Sequence, residues 1–234
     1  MELDEEIAET GADGARAVVV EFDSTVMDGG RLLFETAAKL LQKEAGIELT
    51  RRMEARWLLN RPAQAGFSAL LQGEKGASGG AQLAQTFLEE YATAADKAAP
   101  AAATAEFKAF LKALAAKGVK AAVVSRCNPD ALRAAFADFP ADGLSVLPDE
   151  NTVYGNLKRD GWLRVCRKCS LRAPLSLAIT GSGFGVRGAI QAGMSALAMP
   201  NAETEWQDFT GASADIKAFD ESAVREALAA LHLA

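Results

Sequence analysis

Apolar residues fall along this chain in two rhythms. Short continuous runs bounded by turn residues alternate with stretches repeating at three and four positions. The first run, residues 17–22, is rich in valine and interrupted by one acid, which predicts a strand buried on both faces. Beyond it, residues 31–99 contain no β-rich run. Helical spacing there predicts helices over 32–45, 51–59, 66–71 and 83–95, with a glycine-rich loop over 73–80. The alanine-rich segment around Pro100 reads as a hinge or linker. From residue 105 the pattern changes to strands alternating with helices. Strands are predicted over 119–124, 144–147, 175–179, 195–199 and 216–219. Helices are predicted from 105 to the turn at Gly118, then over 130–136, 161–169, 186–192 and 221–231.

Strands that alternate with helices imply a parallel sheet covered on both faces. The expected fold is therefore α/β, a Rossmann-like three-layer core with an all-helical segment inserted after the first strand. The expected division is an acidic tail over 1–14, a core from 15–27 and 101–234, and a helical cap over 28–100.

The first strand carries the most suggestive chemistry. Glu21 and Asp23 lie two residues apart at its carboxyl end, and a strand continuing that far would put both on one face. Carboxyl ends of parallel strands are where open α/β sheets place ligands.

Composition narrows the alternatives. The 234 residues carry 25 Lys and Arg against 31 Asp and Glu, a formal charge of −6, which gives no support for nucleic-acid binding. No apolar run reaches membrane-spanning length and no signal peptide opens the chain, so the default location is cytoplasmic. Three cysteines make no disulfide framework, and the lone Cys166-Cys169 pair lacks the partners a zinc site needs. Gly183 to Gly188 fit a GxGxxG pattern, but it comes late in the chain, where a dinucleotide fingerprint belongs at the first strand. Trp57, Trp162 and Trp206 read as core or half-buried packing residues.

Four segments in order, VVVEFDSTVMDG, AAVVSRCNPDAL, NLKRDGW and LAITGSGFGVRGAIQAGM, resemble the haloacid dehalogenase-like hydrolases. The likeness is to the phosphoglycolate phosphatase and β-phosphoglucomutase type with a helical cap. It implies a nucleophilic Asp at the first motif position, an acid/base Asp two residues later, Ser or Thr and Lys on the phosphate, and Mg²⁺ held by one or two acids of the fourth motif together with the nucleophile and a backbone carbonyl, here that of Asp23. Carried over residue by residue, Asp23 matches the acid/base, and Thr25, Ser125, Arg126 and Lys158 the phosphate-holding positions. Arg61, in a break of the cap, stands where a substrate contact is expected.

Two positions depart from the pattern. Glu21 replaces the nucleophilic Asp, and a carboxylate displaced by about 1 Å can cost about 100-fold in rate. Gly181 stands where a metal-binding acid belongs, and no Asp or Glu occurs between Gly161 and Ala202. The expectation is a phosphatase-type fold with an impaired site, no metal ligand in the fourth motif and no cofactor: a non-catalytic protein that binds a phosphorylated or otherwise anionic small ligand, or a regulatory protein. The alternative is an active phosphomonoester hydrolase using Glu21 and Asp23.

Overall fold

The computed structural model describes residues 14–137, 139, 144–148, 153–154 and 157–233. The acidic tail predicted for 1–14 lies outside this range apart from Gly14. Six strands form one sheet in the order β4-β3-β1-β6-β7-β8, with every neighbouring pair parallel. They are β1 (Ala17–Glu21), β3 (Lys120–Ser125), β4 (Leu144–Pro148), β6 (Ser176–Thr180), β7 (Ser195–Ala198) and β8 (Ala214–Asp215). The chain builds outward from β1 through β3 to β4, then returns to lay β6 on the other side of β1. That reversal opens a crevice at the carboxyl ends of β1 and β6, where open parallel sheets bind ligands.

Alternation along the strands separates two cores. Val18 and Val20 face one, while Val19 faces the other. On the first face lie α6 (Ala105–Ala115), α7 (Pro129–Ala135) and α10 (Glu221–Ala230). On the second lie α8 (Arg159–Lys168) and α9 (Gly183–Gln191). This is the α/β three-layer arrangement read from the sequence. No helix among the described residues is long and apolar enough to cross a membrane.

Between β1 and α6 the chain is helical, apart from a two-residue strand. A single turn, α1 (Phe22–Thr25), follows β1 directly. Then come α2 (Gly29–Ala45), α3 (Arg51–Met53), a π-helical turn (Glu54–Leu58), β2 (Arg61–Pro62), α4 (Ala63–Lys75) and α5 (Gly80–Ala102). Asp28 caps α2 by accepting the Arg31 N–H, and Gly46 ends it in the left-handed region at φ 59°. The helical segment shares the first core: Leu40, Phe67, Phe87 and Tyr91 are continuous with Phe107 and Phe110 of α6. β2 also pairs antiparallel with β5 (Val153–Tyr154), a contact the sequence pattern did not predict.

Several boundaries differ from the sequence expectation. β1 stops at Glu21, because Phe22 already turns into α1. The 51–59 helix divides into α3 and the π turn. α4 runs on to Lys75, into the predicted loop, and α5 runs through Pro100 to Ala102. Pro100 lies close to the end of α5, where few hydrogen bonds remain to be lost, and the alanines around it favour helix. The hinge thus shrinks to Ala103 and Thr104, whose hydroxyl caps α6 by accepting the Phe107 N–H. The last strand is Ala214–Asp215 rather than 216–219, since its partner β7 ends at Ala198, opposite Asp215. Trp162 is fully buried, but Trp206 is 62% exposed and is not a packing residue.

Phe107 ties these layers together. Its ring lies 4.7 Å from Phe219, 5.9 Å from Phe136 and 6.2 Å from Phe22. Truncation to alanine in urea denaturation is expected to cost about 3–5 kcal/mol. A loss below about 1 kcal/mol would show that this junction collapses around the gap.

Candidate functional site

The site forms where β1, β3 and β6 end side by side. Glu21 closes β1, Ser125 closes β3 and Thr180 closes β6. All three side chains are buried. Asp23, expected on the same strand face as Glu21, lies instead in α1. The helical turn sends the two carboxylates in different directions.

Among the described residues, three donors converge on Glu21. The Leu157 N–H reaches Oε1 at 2.8 Å, and the hydroxyls of Ser24 and Thr180 reach Oε2 at 2.8 and 2.5 Å. The backbone fixes the direction of these bonds. Ser24 Oγ accepts the Gly181 N–H at 3.0 Å, and Thr180 Oγ1 accepts the Ser182 N–H at 3.4 Å. An N–H can only donate, so each hydroxyl is left to turn its own proton toward the carboxylate. Ser182 is held in turn as the cap of α9, accepting the Gly185 N–H at 3.0 Å.

Asp23 is bound by a parallel device. Ser125 Oγ accepts the Cys127 N–H at 3.0 Å and donates to Asp23 Oδ1. Asp23 Oδ2 accepts the Arg126 N–H at 3.1 Å and the Tyr91 hydroxyl at 3.3 Å. Burial raises the Tyr91 phenol well above its usual range, and the charge of Asp23 adds to the effect. The same two causes push the Cys127 thiol up to about 12.

A magnesium ion needs oxygen ligands in near-octahedral array, usually with one or two carboxylates among them. Thr180 and Gly181 end β6 without an acid. A Cβ at Gly181 would collide with the Ser24 carbonyl, so the backbone fills the space an acid there would need. The Asp23 carbonyl, which the family resemblance makes a metal ligand, packs against Gly29, where a Cβ would collide with it. Among the described residues no group of three or more His, Cys, Asp or Glu could hold a metal.

The other residues singled out from sequence divide into two groups. Thr25, Ser125 and Arg126 stand close to the acids. Thr25 donates its hydroxyl to the Glu21 carbonyl at 2.8 Å, and the Arg126 guanidinium lies 5.5 Å from the Tyr91 ring centre. Lys158 and Arg61 turn elsewhere. Lys158 Nζ donates to the Asn60 carbonyl at 3.0 Å and borders a separate surface cleft with Phe184 and Arg187, away from the crevice. Arg61 is exposed in β2, in register with Tyr154. Thr180, Tyr91 and the Leu157 N–H were missed. Thr180 carried a usable signal, since it ends the strand beside β1 immediately before Gly181.

Two adjoining cavities occupy the crevice. The inner one, about 30 Å³, is bordered by Glu21, Asp23, Tyr91 and Arg126 among others. That is room for one or two waters. The outer one, about 450 Å³, is bordered by α3, the π turn and the 202–207 segment. Gly30, Leu33 and Thr204 border both.

No protein-family model matches the chain, and no curated protein matches its sequence. Solved structures do resemble it. CbbY from Rhodobacter sphaeroides in complex with phosphate aligns at TM-score 0.69 and 18% identity, over 94% of this chain and 100% of that one. A β-phosphoglucomutase from Clostridium difficile aligns at TM-score 0.67 and 12% identity, over 94% and 100%. A HAD family hydrolase from Deinococcus radiodurans with bound phosphate and sodium aligns at 0.56 and 15%, over 94% and 97%. The fold is that of the haloacid dehalogenase-like hydrolases, as the sequence motifs implied.

Two measurements follow from this geometry. Thr180→Val removes one donor to Glu21 and the acceptor of the Ser182 N–H, and is expected to cost about 1–3 kcal/mol in chemical denaturation. An unchanged midpoint would mean that the Thr180 hydroxyl contributes nothing to holding Glu21. Burial also pushes the Cys166 thiol up to about 11, so Cys127 and Cys166 keep their protons when the unfolded chain begins to lose its own. Their contribution to stability is present below the unfolded thiol pKa of about 8.5 and falls away above it. At pH 8 a disulfide reagent is expected to label both thiols slowly in the native protein and rapidly in denaturant. Rapid native labelling of Cys127 would contradict its placement.

Proposed function

We propose that this chain is a non-catalytic protein of phosphatase-type fold that binds a small anionic ligand in the crevice between the helical segment and the sheet. The observation that carries the reading is the convergence of Ser24, Thr180 and the Leu157 N–H on Glu21. A nucleophile must present a free lone pair to phosphorus, and a metal-assisted one must share that lone pair with the ion. Here the carboxylate oxygens face donors of the protein itself. The inner cavity beside the two acids has room for water rather than for a substituted phosphate. Ser125 directs its proton to Asp23 and Lys158 donates to Asn60, so neither is arranged to hold a phosphoryl group.

Ligand binding is supported by the outer cavity, which carries Arg51 and Arg52. It is also supported by fold relatives described in complex with phosphate or with xylulose-(1,5)-bisphosphate. The ligand sits outside the acids rather than against them.

The test is a turnover assay of the purified protein with a broad panel of phosphomonoesters and millimolar Mg²⁺, run beside Glu21→Gln and Asp23→Asn. The expected outcome is the same background rate in all three proteins. Phosphate release by the parent chain that disappears in both variants would establish the hydrolase alternative, with Glu21 and Asp23 as its catalytic groups.

A further inference from the structure

The outer cavity has a charge pattern that specifies its ligand more closely. Among the described residues, four charged ones border it: Arg51, Arg52, Glu54 and Glu203. Three of them are tied to one another. Arg51 bonds Glu54 at 2.9 Å and Glu203 at 2.6 Å, and its guanidinium lies 3.8 Å from the centre of the Phe34 ring. The second oxygen of Glu54 accepts the Tyr154 hydroxyl at 2.6 Å. Arg52 is different. It is exposed, and among the described residues it takes part in no ion pair or side-chain hydrogen bond.

Trp206 stands at the same cavity with 62% of its surface exposed. Its indole N–H donates to the Glu203 carbonyl at 2.8 Å, which fixes the ring at the rim. Leu33, Leu59 and Ala55 supply apolar wall. The volume, about 450 Å³, lies within the range of small-molecule sites. One wall is the π turn, a rare element that is frequent at functional sites.

We propose that this cavity binds a small organic monoanion with a flat apolar body, such as an aromatic sulfonate or carboxylate. The body lies against Trp206 and Leu33, and the single charge meets Arg52. The four charged side chains sum to zero, and Arg52 is the cation not engaged by Glu54 or Glu203. A dianion would bring a second negative charge beside those carboxylates, with no further uncommitted cation among the described lining residues to meet it. This proposal rests on the reading of the crevice as a binding site, and it narrows the ligand from anions in general to monoanions with an aromatic or flat apolar body.

The experiment is calorimetric titration of the full chain with three probes at pH 8: 1-naphthalenesulfonate, 1-naphthyl phosphate and inorganic phosphate. The first two share a body and differ in charge, and the third lacks the body. Saturable binding is expected for the sulfonate, weaker binding for the phosphate ester, and none for inorganic phosphate. Arg52→Gln is expected to weaken the sulfonate by about tenfold, the loss of one charge-assisted contact. Trp206→Ala is expected to weaken it by about fivefold or more, the loss of the aromatic face. Both side chains are exposed, and unchanged urea midpoints will confirm that the variants fold. The proposal is overturned by absence of sulfonate binding, by tighter binding of the phosphate ester, or by sulfonate affinity unaltered in both variants. Release of phosphate from 1-naphthyl phosphate, followed in the same samples, would overturn the non-catalytic reading separately.

Discussion

A carboxylate buried at the carboxyl end of a central strand must be answered by donors or by a cation, because an unanswered charge in that position is too costly to keep. Glu21 is that carboxylate, and the ends of three segments are arranged around it. Thr180 brings the end of β6, Ser24 the turn after β1, and Leu157 the approach to α8. Because Gly181 and Ser182 each direct an N–H at one of the two hydroxyls, the polarity of the network is set by backbone and not by a choice of rotamer. The same rule orients Ser125 toward Asp23.

On the proposed non-catalytic reading, Glu21, Ser24, Thr180 and Gly181 act as one unit. Glutamate is one methylene longer than aspartate, which suits it to reach neighbouring hydroxyls directly, with no ion between. Threonine at 180, next to Gly181, supplies a proton to Glu21. Serine at 24 both accepts from Gly181 and donates to Glu21, and its carbonyl occupies the volume that any side chain at 181 would require. Together these residues join the ends of β1 and β6 by hydrogen bonds, and the larger cavity lies beyond them, beside Arg52 and Trp206.

Much of the fold was legible because its central strands are buried on both faces. β1, β3 and β6 read as short apolar runs, and those runs located the crevice at Glu21 and Ser125. The helix ends were less legible around Pro100 and Lys75, where alanine and general helix propensity carried the chain past residues that ordinarily break it. The candidate site was half legible. Glu21, Asp23 and Ser125 could be placed from motif order, but Tyr91 reaches Asp23 across 68 residues and Leu157 reaches Glu21 across 136. Such contacts arise from how α5 and the approach to α8 pack, which no local pattern encodes. Lys158 shows the converse. Its neighbour Leu157 sits at the acid through its backbone, yet the lysine side chain leaves for Asn60.

The central claim is that protein donors take the place of a metal at Glu21. Calorimetric titration of the full chain with Mg²⁺, in the presence and absence of inorganic phosphate, tests it most directly. The account predicts no saturable heat in either condition and no difference between the parent chain and Glu21→Gln. Stoichiometric Mg²⁺ binding that Glu21→Gln abolishes would contradict it.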